Sequence, residues 1–248
     1  MKLSIPRTLF TLLASILIAL AQAASASADS FVLNTDDVPP LATKDMKGYH
    51  NRLAIEAFKR LGHVLTIPQL PSGRSLLNAQ AGIDDGTLPR IAGLTAEYPN
   101  LLQVPEKLMD YQFTAFTMSD NMTVRTWEDL RQYTVGYVYG WKIFERSTKD
   151  FPNVISVRDP DLLFSLLAKN RADVVLLERW QGLLTAKKLG LKGVRAILPP
   201  LAEREMFIYM HKKHAALLPK LAQALRSMKK DGAYERIYAE VLAPLAGM

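Results

Sequence analysis

The residues able to do chemistry in this chain are few and mostly charged. Two arginines, Arg74 and Arg90, flank a turn-rich acidic loop within the stretch 71–94, PSGRSLLNAQAGIDDGTLPRIAGL. Ser72 is a fair N-cap, Leu76 and Leu77 supply an apolar face, and Gly82 stands where a helix would end, so residues 73–81 are expected to form a short helix. Arg74 then sits in the first turn against the positive end of the helix dipole, a conflict that a bound anion would relieve. Asp84-Asp85-Gly86 marks a tight turn, and Pro89-Arg90 delivers the second guanidinium from non-helical backbone. Two guanidiniums beside one loop can clamp a carboxylate; equally, both can be solvated or pair with Asp84 and Asp85. A lone acid, Glu178, closes the apolar run Val174–Leu177, the end of a parallel strand at which ligands gather in open α/β sheets. Four scattered histidines (His50, His63, His211, His214) suggest no metal cage, and neither a Gly-x-Ser-x-Gly elbow, a phosphate loop nor a dinucleotide fingerprint occurs. Nothing in the sequence demands catalysis, a cofactor or a metal.

The elements that must position these residues begin after an export signal. Lys2 and Arg7 precede an apolar run from Leu9 to Ala21 and small residues through Ala28, the pattern of a cleaved secretory leader over residues 1–28. The run is shorter than the ~20 residues of a spanning helix. The chain has no cysteine, which excludes disulfides, thiolate metal sites and a lipid-anchored cysteine and suits a Gram-negative periplasm. The formal net charge of +7 is spread over separated lysine pairs without interleaved aromatics, so no nucleic-acid surface is expected.

Downstream, β-prone and helical patterns alternate. Strands are expected at Phe31–Thr35, Val64–Ile67, Leu101–Val104, Phe113–Thr117, Val135–Val138, Val154–Val157, Asp173–Leu177 and Met206–Met210. Between them run a helix striped by Leu53, Ala54, Ala57 and Phe58 and ended by Gly62, one opened by Gly140-Trp141, and one capped by Asp159-Pro160. Two amphipathic helices, about 215–229 and 231–242, close the chain. The expected fold is α/β and two-lobed: residues 29–117 plus 207–248 form one lobe, 118–206 an inserted second lobe, each a mainly parallel sheet flanked by helices.

The order of these pieces resembles solute-binding protein family 3, the amino-acid-type periplasmic receptors of ABC importers. The likeness rests on Phe31–Asp37, Asn51–Gly62, Gly82-Ile83-Asp84-Asp85, Trp127–Leu130 followed by Thr134–Val138 and Gly140, Asn170–Glu178, and Asp231–Tyr238. The resemblance implies a hinged clamshell that captures a small carboxylate-bearing ligand, a polar amino acid above all, and hands it to an importer permease or presents it to a membrane receptor, acting as a monomer. It implies that Asp36 and Asp37 line the cleft, that the helix N-terminus at Gly140-Trp141 receives a ligand carboxylate, and that Glu178 meets the α-amino group. The family's arginine in a Gly-Met-Thr-x-Thr-x-x-Arg run is replaced: Gly93-Leu94-Thr95 begins it, but Tyr98 stands at its end, leaving Arg90 or Arg74 to substitute. Leu41 stands where an aromatic is usual, so Trp141 or Tyr49 would supply stacking. Cyclohexadienyl dehydratases resemble the same family, and there a cleft acid with arginine clamps would eliminate water and carbon dioxide; Glu178, Arg74 and Arg90 would be the analogous cast.

Overall fold

The computed structural model describes residues 28–36 and 38–246. The leader expected at 1–28 lies, but for Ala28, outside them, as does Asp37. No helix among the described residues is long and apolar enough to cross a membrane.

Among the described residues, nine strands form one continuous curled sheet: β1 (Ser30–Asn34), β2 (Val64–Thr66), β3 (Gly86–Ile91), β4 (Leu101–Gln103), β5 (Met109–Thr117), β6 (Val135–Val138), β7 (Val154–Val157), β8 (Val174–Glu178) and β9 (Arg195–His211). The order across it is β2-β1-β3-β9-β5-β8-β6-β7, with β4 paired to β9. Parallel pairs make up both wings, β2-β1-β3 and β8-β6-β7. The two wings meet at the antiparallel pair β5–β9, whose register runs from Met109↔Met206 to Thr117↔Arg195. β9, at 17 residues, is long enough to serve both wings: its C-terminal part pairs β3 and β4, while β5 passes into the other wing at Phe113↔Glu178.

Helices cover the sheet for the reasons their sequences give. In α1 (Tyr49–Arg60) the stripe Leu53, Ala54, Ala57 and Phe58 is fully buried, each large member contributing about 1.5–3 kcal/mol. α6 (Leu218–Lys230) and α7 (Ala233–Val241) pack on α1, and Arg60–Asp231 (2.5 Å) and Arg52–Glu240 (2.5 Å) tie the C-terminal tail to it. In the other wing, β8 is buried along its whole length, as its unbroken apolar run requires. It lies beneath α4 (Pro160–Ala168), whose N-cap Asp159 accepts from Leu162 N, and α5 (Arg179–Lys188). The short helices α2 (Ser72–Gln80), α3 (Lys142–Ser147) and α8 (Ala243–Ala246) complete the chain.

The helix expected over 73–81 runs from Ser72 to Gln80 with Pro71 rather than Ser72 at its N-cap, and two strands differ further from the sequence expectation. Residues 86–91 form a strand where a turn and irregular backbone were expected, because β3 absorbs Pro89 through a register shift: Thr87 pairs Tyr209, but Arg90 pairs Phe207. One extra residue in β3 is a bulge, and bulges re-aim the side chains beside them. The strand expected at 206–210 is instead the end of a strand beginning at Arg195, whose Pro199-Pro200 and exposed charges at 203–205 masked its continuity.

α5 lies so close to β5 that a Cβ at Gly182 would fall 2.2 Å from Phe116 Cζ, in a ring that is fully buried and edge-on to Phe164. Gly182→Ala is therefore expected to destabilise the protein by about 1–3 kcal/mol. The check is urea denaturation, with a lower midpoint at unchanged slope; an unaltered midpoint would mean that the helix can ride outward without cost.

Candidate functional site

A cavity of about 1330 Å³ lies where the two wings face each other. From the first wing come Asp36 and Val38 after β1, Ser72 and Leu76 of α2, and Pro89–Ala92 with Leu94 after β3. Val138, Tyr139, Gly140 and Trp141 after β6, with Lys142, Ile143, Arg146 and Ser147 of α3, form the opposite wall. Tyr111, Phe113 and residues 203–206 of the β5–β9 pair make the floor. The volume exceeds the roughly 300–1,000 Å³ of small-molecule pockets, so the cleft as it stands is wider than one such ligand would fill.

Arg90 lines this cavity but is largely committed elsewhere. Its Nη1 donates to Asp36 Oδ2 (2.7 Å) and Ser72 Oγ (3.3 Å), its Nη2 to Ser75 Oγ (2.5 Å) and its Nε to Thr87 Oγ1 (3.2 Å). Four of the five guanidinium N–H groups are thus used, leaving one on Nη2. Behind it, Ser75 donates to Asn34 Oδ1, whose amide donates to Asp84 Oδ2 (2.6 Å) and Ser75 O (3.0 Å). Arg90 holds the loop after β1, the start of α2 and β3 in one buried polar network. Asp84 and Asp85 do not pair with either arginine: Asp84 joins this network, and Asp85 accepts from Val32 N, Lys213 Nζ and His214 Nε2.

Arg74 is exposed, is absent from the cavity wall, and has no ion pair among the described residues. It is a solvated arginine, the second of the two sequence alternatives. Glu178 is likewise not part of the wall. It is fully buried and acts as N-cap of α5, its Oε2 accepting from Trp180 N and Gln181 N, both at 3.0 Å. Glutamate is not a favoured cap, which is why the sequence reads as a strand-end acid rather than a helix start. Tyr49 lines a separate small cavity with Lys107, Trp180 and Tyr234, so of the two aromatics Trp141 is the one that borders the main cavity.

Gly140 and Trp141 do line the cavity, but the geometry at α3 differs from a free helix N-terminus. Gly140 adopts a left-handed φ of 95°, and its N–H donates to Glu145 Oε1 at 3.0 Å. The Lys142 ammonium (2.6 Å) and that N–H hold the Glu145 carboxyl below its ordinary pKa. This six-residue helix is too short to stand by propensity. It is anchored by Phe144, which is fully buried with ring contacts to Phe113 (5.7 Å), Trp141 (5.8 Å), Trp127 (6.3 Å) and Tyr137 (6.4 Å).

Strand register identifies a cation that the sequence reading missed. Tyr111 and Arg204 are directly opposed across β5–β9, and opposed residues project from the same face. Tyr111 and Phe113 line the cavity, so Arg204 faces it also. Gln112 and Glu203, the next pair, project from the other face, where Gln112 Nε2 donates to Glu203 Oε1 (2.8 Å). Glu205, opposite Asp110, lies on that same far face, with Lys107 bridging the two carboxylates. Arg146 on α3 is the second missed residue: it lines the cavity and has no ion pair among the described residues.

Comparison with known proteins places this geometry in a fold. No family model matches the chain. A protein of Shewanella oneidensis described as uncharacterized is 24% identical over 188 residues, covering 73% of this chain and 70% of its own. Among solved structures, a histidine kinase sensor domain with similarity to periplasmic binding proteins superposes with a TM-score of 0.68 at 18% identity, covering 87% of this chain and 97% of that one. An ancestral arginine-binding protein bound to arginine gives 0.67 at 22%, covering 86% and 98%. An ancestral amino acid-binding protein described as a precursor of cyclohexadienyl dehydratase gives 0.65 at 19%, covering 91% and 98%. The chain has the periplasmic-binding-protein-like α/β fold, in agreement with the sequence resemblance to solute-binding protein family 3.

Removing the Arg90 guanidinium is expected to act on stability. Arg90→Ala leaves Asp36 without its cation and Thr87 Oγ1 without its donor, and removes one of the two donors to Ser75 Oγ, at a cost of about 3 kcal/mol. Denaturant unfolding of Arg90→Ala, Asp36→Ala and the double variant should give clearly less than additive losses; additivity would show that the pair does not couple these segments.

Proposed function

We propose that this is a solute-binding protein that captures a small carboxylate-bearing ligand between two lobes, residues 29–117 plus 207–248 and residues 118–206, by bending of β5 and β9. The observation that carries this reading is the cavity, built from both wings and floored by the strands that join them. A cleft so placed changes shape whenever those strands flex, which is how hinge closure couples binding to a signal. The likeness to binding proteins of known structure supports the same reading.

The ligand is held by cations of the cleft wall, with Trp141 against its body. Asp36 and Arg90 act chiefly by fixing the first-lobe rim, and Gly140 by setting the entry to α3. Delivery to the permease of an ABC importer, from a periplasm reached through the leader at 1–28, is the physiological role. A sensory role for the same closure is the second reading, supported by the resemblance to a kinase sensor domain. Binding proceeds without turnover.

Small-angle scattering with and without a carboxylate identified by thermal shift tests closure. A smaller radius of gyration at saturation, with the ligand recovered chemically unchanged, is expected. Constant dimensions at saturation would overturn the clamshell reading, and product formed at enzymatic rates would overturn the non-enzymatic one.

A further inference from the structure

Resting on the solute-binding reading, we infer that the ligand is a carboxylate with an apolar or aromatic body and no ammonium group, held by Arg146 and Arg204. The cavity sorts its charges in a way that favours this class. On the cation side, Arg90 is neutralised by Asp36 at 2.7 Å and Lys142 by Glu145 at 2.6 Å. Arg146 and Arg204 line the same cavity with no ion pair among the described residues; Arg204 Nη1 donates to its neighbour's carbonyl, Glu203 O, at 2.7 Å. Two guanidiniums facing one cleft without a counter-ion form an anion site whose charge the protein leaves unbalanced.

The acids are arranged the other way. Asp36 is held by Arg90. Glu203 and Glu205 also line the cavity, but they alternate with Arg204 along β9, and their carboxylates meet Gln112 Nε2 and Lys107 Nζ respectively. Glu178, the residue that an α-ammonium group would need, instead caps α5 from a fully buried position. Among the described residues, therefore, each carboxylate lining the cavity already has a partner, Arg90 for Asp36, Gln112 for Glu203 and Lys107 for Glu205, and an amino acid would place its cation beside two arginines. Like charges brought together in a partly desolvated cleft are strongly disfavoured.

Most of the remaining wall is apolar and aromatic, with Ser72, Ser147 and Gln181 as its uncharged polar members. Val38, Ile91 and Tyr139 are more exposed than large apolar residues usually are, and all three border this cavity, the first two from one wing and Tyr139 from the other. Phe113 and Trp141, edge-on at 5.9 Å, continue that surface inward. Such a wall fits a hydrocarbon or ring body rather than a polar side chain.

Matched pairs that differ only by the ammonium group give the test: 3-phenylpropanoate against L-phenylalanine, and 4-methylpentanoate against L-leucine, titrated calorimetrically into the full exported chain. The deamino acid of at least one pair is expected to bind tenfold or more tightly than its amino acid. Arg146→Ala and Arg204→Ala are each expected to weaken that binding tenfold or more while leaving the melting temperature nearly unchanged, since neither residue has an ion pair to lose. Should either variant melt markedly lower, Arg146→Lys and Arg204→Lys keep the charge, and an affinity retained within threefold by the lysine variant upholds the electrostatic role whereas loss of its folding as well refutes it. Equal or tighter binding of the amino acids overturns the ligand class while leaving solute binding intact. Wild-type affinity in both alanine variants overturns the two-arginine site. Absence of binding by every carboxylate in a wide thermal-shift screen removes both this inference and the solute-binding reading beneath it.

Discussion

The guanidinium of Arg90 is the point at which three segments of the first wing are tied together. It reaches Asp36 after β1, Ser72 and Ser75 of α2, and Thr87 in its own strand, and it is only 8% exposed. A cation buried to that degree is costly unless a counter-charge and hydrogen bonds surround it. The bulge in β3 supplies the aim, and the Asn34–Ser75–Asp84 bonds supply the support behind it. Because the same segments form one wall of the cleft, the ion pair sets the shape of that wall, and four of the five guanidinium N–H groups are used within it.

The second constraint is the alternation of β5 and β9. Crossing strands with a fixed register divide their side chains between two faces, and here the division separates function from scaffold. Tyr111, Phe113 and Arg204 face the cleft. Asp110, Gln112, Glu203 and Glu205 face away, joined by Lys107 and by the hydrogen bond of Arg179 Nη1 to Gln112 Oε1. A shift of one residue in pairing would exchange these sets, burying the acids in the cleft and removing its arginine. The charge sign of the site therefore depends on backbone pairing.

Much of the fold was legible because its signals are periodic. The stripe of α1, the Asp159-Pro160 start of α4, the apolar run of β8 and the amphipathic C-terminal helices each carry a pattern that local physics reads directly. β3 was not legible, because Gly86 and Pro89 are turn signals until a bulge accommodates them. The site was legible in part. Asp36, Arg90, Gly140 and Trp141 all border the cleft, whereas Arg74 is solvated and Glu178 caps a helix. Arg204 was invisible because its direction follows from a partner strand some ninety residues earlier. Arg146 looked like any basic residue in the last turn of a helix, and only the fold turns that helix into a wall.

The central claim is that the two wings move toward each other when a carboxylate enters the cleft. The chain lacks cysteine, so Glu97→Cys and Lys149→Cys would place one spin label on each wing without background. Pulsed electron-paramagnetic distance measurement on that doubly labelled protein is the most direct test. The account predicts a shorter and narrower distance distribution when a carboxylate saturates the cleft; a distribution identical with and without that bound carboxylate would contradict it.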